Sequence, residues 1–571
     1  MLAAALLVFA AGLALAPMTE SDLFFRLAAG REILAHHAIP ARNLFSFTAP
    51  DFPDLDASWL FEVGAAALFR AGGFPAVVIG KALCVAATAA LAFRLGRRRG
   101  AGPVAAALAV AAALVVMQER LVERPHIFSF AGEIAVLLAL EHLESSGDAA
   151  PLRPRWRAGA ALLLGVALWA NLHAGVFVAP VLLLLYALGA VADRRAGLAV
   201  PAAALALLSL AAMLATPLGP GLFRYLALHV TIPRLHPIDE FRAVSPESDG
   251  ALLVYATAAL VAAGLVWRAQ RDDVGLRRIL PVLGLALLAA RAIRFGADFA
   301  LCAAPLLAAA ATPLGERLRV LLPSWLRARG PAAGAALLLI GLALGPRIAG
   351  ARQGRPFADI DLDRSALPLD AIRFADENGV RDRMYNDFEI GSYLVFEGYP
   401  RHRVFIDPRL PAYPPDLHRL LGRTDVDRAE WDRAMERYGV HSALLAYAGL
   451  NRRVSWWDPA RWALIYRQHD ARVFVRRLPR WRALIAAREI PATFSFTLEE
   501  GTATLPLAEP PPASPVPACE WQRRLGDLLV ELDEGKPARA VAAYRRALAA
   551  PAGCLAPDDE RALRRWLGQG F

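Results

Sequence analysis

Residues 157–195 read RAGAALLLGVALWANLHAGVFVAPVLLLLYALGAVADRR. Two apolar blocks, 157–170 and 174–192, flank a polar turn from Asn171 to Gly175. Arginines close both far ends: Arg153, Arg155 and Arg157 before the first block, Arg194 and Arg195 after the second. A helix crosses a hydrocarbon core of about 30 Å with roughly 20 apolar residues. The stretch therefore reads as two membrane-spanning helices that double back, their basic flanks on one side.

Working outward, apolar stretches of the same kind occupy 2–18, 74–93, 101–117, 126–142, 197–215, 250–267, 279–291, 295–311 and 331–348. With the first two this makes about eleven spans in the first 350 residues of a 571-residue chain that is 56% hydrophobic, with a mean hydropathy of +0.38. The expected fold class is an α-helical polytopic membrane protein, followed by a water-exposed C-terminal region. Met1 to Ala16 lacks the basic start of a signal peptide, and Pro17 follows the only plausible cleavage position. It reads as a retained first span. The net charge of +10 is arginine charge, the only lysines being Lys81 and Lys536. No recognition motif and no basic stripe interleaved with aromatics is present, which argues against nucleic acid as a partner.

The arginines fall in alternate loops: Arg94, Arg97, Arg98 and Arg99; Arg153, Arg155 and Arg157; Arg194 and Arg195; Arg268, Arg271, Arg277 and Arg278; Arg317, Arg319, Arg327 and Arg329. Under the positive-inside rule these five loops are cytoplasmic, as is the N-terminus. Loop 19–73, turn 118–125, turn 171–175, loop 216–249, turn 291–294 and everything after about 349 then face outward, which makes the C-terminal region extracytoplasmic. Ser58 to Arg70 is too short to span and reads as an interfacial or re-entrant helix.

The outward connections carry acids and histidines as well as arginine: Glu20, Asp22, Arg26, Asp56, Glu62, Glu119, Arg120, Glu123, Arg124, His126, Asn171, His173, Asp239, Glu240, Arg291, Arg294 and Asp298. An ionisable group at a helix centre costs roughly 2.5–3.5 kcal/mol on insertion scales, so such groups pair or line a wet cavity. Each has a plainer reading. Glu20 and Asp22 fit solvated loop charges, Arg124-Pro125-His126 a helix start, His173 a turn residue bonded to a carbonyl, and Arg291 and Arg294 snorkelling side chains. Their convergence favours function. Acids able to act as a general base and cations able to hold a phosphate are the parts that transfer from a lipid-phosphate donor requires.

The series Glu20-Ser21-Asp22-Leu23-Phe24, Gly30-Arg31, Ile39-Pro40, Phe45-Ser46-Phe47, Ser58-Trp59-Leu60, Arg124-Pro125-His126, Trp169-Ala170-Asn171-Leu172-His173, Gly391-Ser392-Tyr393-Leu394 and Phe405-Ile406-Asp407-Pro408-Arg409 resembles a group of bacterial multi-pass membrane proteins related to the GT-C glycosyltransferases, which include protein mannosyltransferases and oligosaccharyltransferases. The resemblance covers about residues 1–480. It implies a sugar transferase using a polyprenyl-phosphate-linked donor, with Asp22 as catalytic base and Glu20 second. It further implies Arg124, His126, His173, Arg291 and Arg294 as donor-phosphate contacts, Asp239 or Glu240 as a second acidic contact, and a divalent cation as an admissible companion of the acids. Trp59 and Asn171 enter as further site residues. Trp456-Trp457-Asp458 matches the start of the oligosaccharyltransferase acceptor motif, but Pro459-Ala460 replaces the rest, so asparagine glycosylation gains no support. The competing readings are a noncatalytic membrane scaffold and a lipid or solute transporter; the latter lacks the inverted repeat and paired broken segments expected of it.

The region 350–505 alternates β-prone runs such as Arg403–Ile406 and Arg472–Arg476 with helical patterns, predicting a small α/β domain. Asp359, Asp361 and Asp363 lack the glycine and glutamate of a calcium loop and read as a solvated strand. Proline-rich 506–517 is a linker. Residues 518–571 predict a helical hairpin in which Ala540, Tyr544, Ala547 and Pro551 approximate half of a tetratricopeptide repeat, a surface for a protein partner. Cys519 and Cys554 bracket that hairpin and are free to pair if it lies outside the cell.

Overall fold

The structure, a computed structural model, describes the chain apart from residues 146–151, 236–238, 246–250, 270–274, 328, 355, 423–427, 447–456, 469–470, 498–500, 533–537 and 569–571. Its residues group into two compact units, Met1–Ala41 with Pro53–Asp363 and Arg42–Phe52 with Arg364–Phe571.

The first unit is helical: α1 (Leu2–Ala14), α2 (Asp22–His36), α3 (Trp59–Arg98), α4 (Pro103–Val116), α5 (Ile127–Ser145), α6 (Leu152–Leu172), α7 (Val178–Ala192), α8 (Ala196–Ala212), α9 (Gly221–Leu235), α10 (Ala251–Ala269), α11 (Leu276–Arg291), α12 (Gly296–Val320), α13 (Ser324–Arg327) and α14 (Gly330–Arg352). Every apolar stretch singled out in the sequence holds a helix over most of its length. Four helical segments are long and apolar enough to cross a membrane, namely Trp59–Arg98, Ala174–Ala192, Ile293–Val320 and Gly330–Arg352, and shorter apolar helices accompany them. The stretch from Ser58 to Arg70 becomes the first arm of α3. Gly72 and Gly73 take non-helical angles, Gly73 with φ +67°, and Pro75 starts the second arm, so the helix bends there. Loop 216–249 differs from the expectation of plain loop, since α9 fills much of it.

Water drives none of the packing between apolar helices inside lipid, so close approach of small side chains does the work. The core is accordingly rich in alanine, with Ala10, Ala89, Ala92, Ala107, Ala202 and Ala303 all fully buried. Gly30 on α2 lies so close to α3 that a Cβ would meet the Glu62 carbonyl oxygen at 2.1 Å. Arg347 on α14 donates to the carbonyls of Gly12 and Leu15, capping the C-terminal end of α1.

Ionic groups collect at the two ends of this bundle. At one end Arg99 binds Glu141 (2.8 Å), Arg278 binds Glu141 (2.9 Å), and Arg277 binds Asp193 (2.8 Å) and Glu144. These residues come from four of the connections whose arginine content marked them as one side. α5 runs from that network to the opposite end, where His126 and Arg124 precede it.

In the second unit β1 (Met384–Asn386) pairs in parallel with β2 (Ser442–Leu445), which pairs antiparallel with β4 (Ala471–Arg476), which pairs antiparallel with β3 (Trp462–Gln468). β5 (Ala492–Thr497) and β6 (Gly501–Pro506) form a separate hairpin. Tyr385, Phe405, Trp431, Trp457 and Phe474 fill the core. Trp457 is thus packed within it; Trp456 lies outside the described residues. Asp407 is fully buried, held by Arg409 at 2.8–2.9 Å and by the Tyr413 hydroxyl at 2.7 Å. Asn43 donates to the Ala412 carbonyl and accepts from Arg409, which fixes segment 42–52 to this unit. Helices Ala518–Leu532 and Ala538–Leu548 pack together, and Cys519 and Cys554 form a disulfide.

Candidate functional site

Arg124 lies at the centre of the second ionic cluster. Its Nε meets Glu20 Oε2 at 2.8 Å and Asp22 Oδ2 at 3.3 Å, and its Nη1 binds Glu240 Oε1. Glu20 also accepts from the Asp22 backbone N–H at 3.0 Å, an acid placed at the start of α2 where free N–H groups favour it. Arg120 adds a 2.6 Å contact to Glu240, with Arg294 4.0 Å away. Five separate connections therefore converge on this cluster and the cavity beside it: 19–73, 118–125, 171–175, 216–249 and 291–294.

Burial raises the Asp22 carboxyl above the ordinary aspartate range, with the nearby Glu20 and Glu240 adding to the rise and Arg124 opposing it. Burial acts the same way on Glu240, but Arg124, Arg120 and Arg294 outweigh it and hold that carboxyl well below its usual value. The cluster thus holds two carboxyls whose proton affinities are pushed in opposite directions.

Beside this cluster lies a cavity of about 630 Å³ whose lining includes Arg120, His126, His173, His229, Arg291 and Arg294. Burial, followed by neighbouring arginine charge, pushes His173 in the 171–175 turn well below the normal imidazole range. His126 Nε2 faces the Arg120 carbonyl oxygen at 2.7 Å, which makes it the protonated nitrogen. At His173 the Gly175 N–H donates to Nδ1 at 3.2 Å, and Ser129, which accepts from Trp169 Nε1, lies 2.7 Å from the same nitrogen. Nδ1 is an acceptor there, so Nε2 carries the hydrogen. A Cβ at residue 175 would sit 2.6 Å from that Nδ1, so only glycine fits.

The remaining sequence-derived residues are placed as follows. Arg124 is committed to three carboxylates, while Arg120 takes a place in the cavity wall. Trp59 Nε1 donates to Asn171 Oδ1 at 2.8 Å, and Asn171 donates to the carbonyls of Ala167 and Ala215; the two brace the ends of α3, α6 and α8. Asp239 falls in the short turn Asp239–Phe241, and its side chain lies outside the described residues. Sequence reasoning missed Glu133, His229 and Tyr225 as cavity residues. For Glu133 the signal was present, an acid inside the apolar run of α5. A divalent cation does not fit between Glu20 and Asp22, because the Arg124 guanidinium already lies against both, and among the described residues no group of three or more metal-ligating side chains occurs.

The fold is similar to that of the archaeal oligosaccharyltransferase AglB from Archaeoglobus fulgidus in complex with an inhibitory peptide and a dolichol-phosphate (TM-score 0.53, 11% identity, 88% of this chain and 74% of that chain covered). The Archaeoglobus fulgidus oligosaccharyltransferase tethered with an acceptor peptide containing the NVT sequon gives a TM-score of 0.53 at 10% identity over 88% and 74% of the two chains. ArnT from Cupriavidus metallidurans in the apo state aligns at a TM-score of 0.49 and 15% identity over 83% of this chain and 96% of that one. These neighbours are GT-C superfamily glycosyltransferases. No protein-family model and no curated protein matches the sequence.

Proposed function

We propose that this chain is a GT-C-type glycosyltransferase that moves a sugar from a polyprenyl-phosphate-linked donor to an acceptor at the outer face of a bacterial plasma membrane. The observation that carries the reading is the convergence of Glu20, Asp22, Arg124 and Glu240 beside a cavity lined by Arg120, Arg291, Arg294 and His173. In this reading Asp22, its affinity for protons raised by burial, removes the proton of the acceptor hydroxyl as that oxygen attacks the anomeric carbon. The bond from that carbon to the phosphate oxygen breaks, and polyprenyl phosphate leaves with its charge held by the arginines and the His173 N–H. Arg124 with Glu240 positions Asp22 and Glu20. AglB was solved with a dolichol-phosphate, a lipid carrier of the class proposed here.

The topology proposed with it has about eleven spans, a cytoplasmic N-terminus, a transmembrane domain over 1–349, an extracytoplasmic α/β domain over 350–505 and a linker over 506–517. The tetratricopeptide-like hairpin over 518–571 is the surface for a protein partner. The Cys519–Cys554 disulfide supports an oxidising, extracytoplasmic side for the C-terminal region. The test is comparison of envelope glycans and polyprenyl-phosphate sugars in a deletion strain and in one carrying Asp22→Asn. The expected result is the same glycan loss in both, with normal insertion of the variant. Unchanged profiles in both strains would refute transfer and favour the scaffold.

A further inference from the structure

The polar groups of the cavity divide by chemistry. Arg120, Arg291 and Arg294 and the N–H of His173 are donors, suited to phosphate oxygens. Two wall residues are carboxyls instead: Glu133 on α5 and Asp298 on α12, 0% and 8% exposed. They lie within hydrogen-bonding reach of each other. Glu133 Oε2 meets the Cys302 thiol at 3.6 Å, but its Oε1 is buried with no hydrogen-bond partner among the described residues. Much of the neighbouring wall is apolar, including Phe130, Phe177, Val178 and Phe295.

A proton shared between the two carboxyls can clamp the helices but does not use up their acceptor sites, and a buried acceptor left without a donor is costly. An oxygen of this kind in a cavity wall is complementary to a ligand that brings its own hydrogen-bond donor. A phosphate has none to bring in its ionised form, whereas a sugar ring carries hydroxyls or an amine. We propose that Glu133 and Asp298 form the sugar-reading wall of the cavity, accepting hydrogen bonds from ring hydroxyl or amino groups while the arginines hold the phosphate. This inference rests on reading the cavity as a polyprenyl-phosphate sugar site and adds how the sugar is distinguished from the bare lipid carrier. A site built to bond a ligand hydroxyl discriminates strongly against a ligand that lacks it, because its own polar atoms are then left unpaired.

The experiment uses the full chain in lipid nanodiscs and measures equilibrium binding of undecaprenyl phosphate and of undecaprenyl phosphates carrying glucose, galactose, mannose or an aminohexose. At least one sugar-bearing lipid is expected to bind roughly tenfold or more tighter than undecaprenyl phosphate. Glu133→Gln, and separately Asp298→Asn, should erase that advantage and leave affinity for undecaprenyl phosphate within about twofold. Preference for the aminohexose or for a neutral hexose tells which donor group is read. A loss that is equal for all lipids, or no loss in either variant, overturns the proposal and returns the pair to a structural role. No sugar advantage in the wild type overturns it too, while leaving the lipid-phosphate reading intact. If no lipid binds at all, the lipid-phosphate reading fails and this inference falls with it.

Discussion

Replacing Arg124 by Gln separates an arginine that holds the acids from one that holds the donor. Its Nε lies 3.3 Å from Asp22 Oδ2, which at an effective dielectric constant of about 20 corresponds to an attraction of about 5 kcal/mol. The Arg124 and Asp22 side chains are 22% and 17% exposed, and screening by that water reduces the figure to roughly 2–3 kcal/mol. Burial already places Asp22 above the ordinary aspartate range in the wild type. In the proposed role of base Asp22 must be deprotonated to act, so wild-type activity is expected to fall as the pH drops through this raised value. In Arg124→Gln the attraction that opposes the rise is gone, so the acidic limb should move to higher pH. The assay is release of undecaprenyl phosphate from the sugar-linked donor in proteoliposomes between pH 5 and 9. Relative to the wild type, turnover of the variant should fall most at the acid end of this range and recover toward the alkaline end, with Arg124→Lys in between. A variant that keeps the wild-type acidic limb, or one that loses activity equally at every pH, would refute the argument that Arg124 sets the protonation of Asp22.

Three further outcomes follow from the geometry. Gly175→Ala puts a methyl group 2.6 Å from His173 Nδ1 and 2.7 Å from Ser129 Oγ; displacing the ring by about 1 Å should lower turnover on the order of a hundredfold, measurable in the same vesicles. Asp407→Ala leaves the Arg409 guanidinium without its buried carboxylate, at a cost of roughly 3–5 kcal/mol, and should appear as a fall in thermal stability of the full chain with loss of protection around Asn43 in hydrogen exchange. The 35-residue separation of Cys519 and Cys554 corresponds to about 4 kcal/mol of loop entropy, so Cys519→Ser with Cys554→Ser should open helices Ala518–Leu532 and Ala538–Leu548 to limited proteolysis. Unchanged cleavage would show that their packing suffices.

Helix positions in the first unit were legible because apolar length is a strong signal and loop arginines alternate. The bend in α3 was half legible: Gly72, Gly73 and Pro75 mark a break, yet one continuous path through it depends on the packing of both arms. Asp22, Arg124, His173 and Arg294 could be singled out as polar residues at predicted span ends. Which of them touch could not, since Arg124 and Glu240 meet across 116 positions of sequence. The phosphate role carried to Arg124 by resemblance competes in the structure with three carboxylates, a matter of distance that no motif encodes. Phe405-Ile406-Asp407-Pro408-Arg409 entered only as part of a resemblance, and its aspartate proves to be a buried anchor. Glu133 was marked in the sequence by being an acid inside an apolar run, but that it lines a cavity with Asp298 depends on how α5 and α12 pack.

The clamp around Arg124 also has a history within each molecule. Glu20 and Asp22 are synthesised about a hundred residues before Arg124 and more than two hundred before Glu240. At about 5–20 residues per second, the two acids wait several seconds for their counter-charge and longer for the third carboxylate. During that interval they have to remain hydrated at the membrane surface. The clamp therefore closes late in synthesis, and a chain arrested between α6 and α9 would hold its acids and its arginine but lack the glutamate that locks them together.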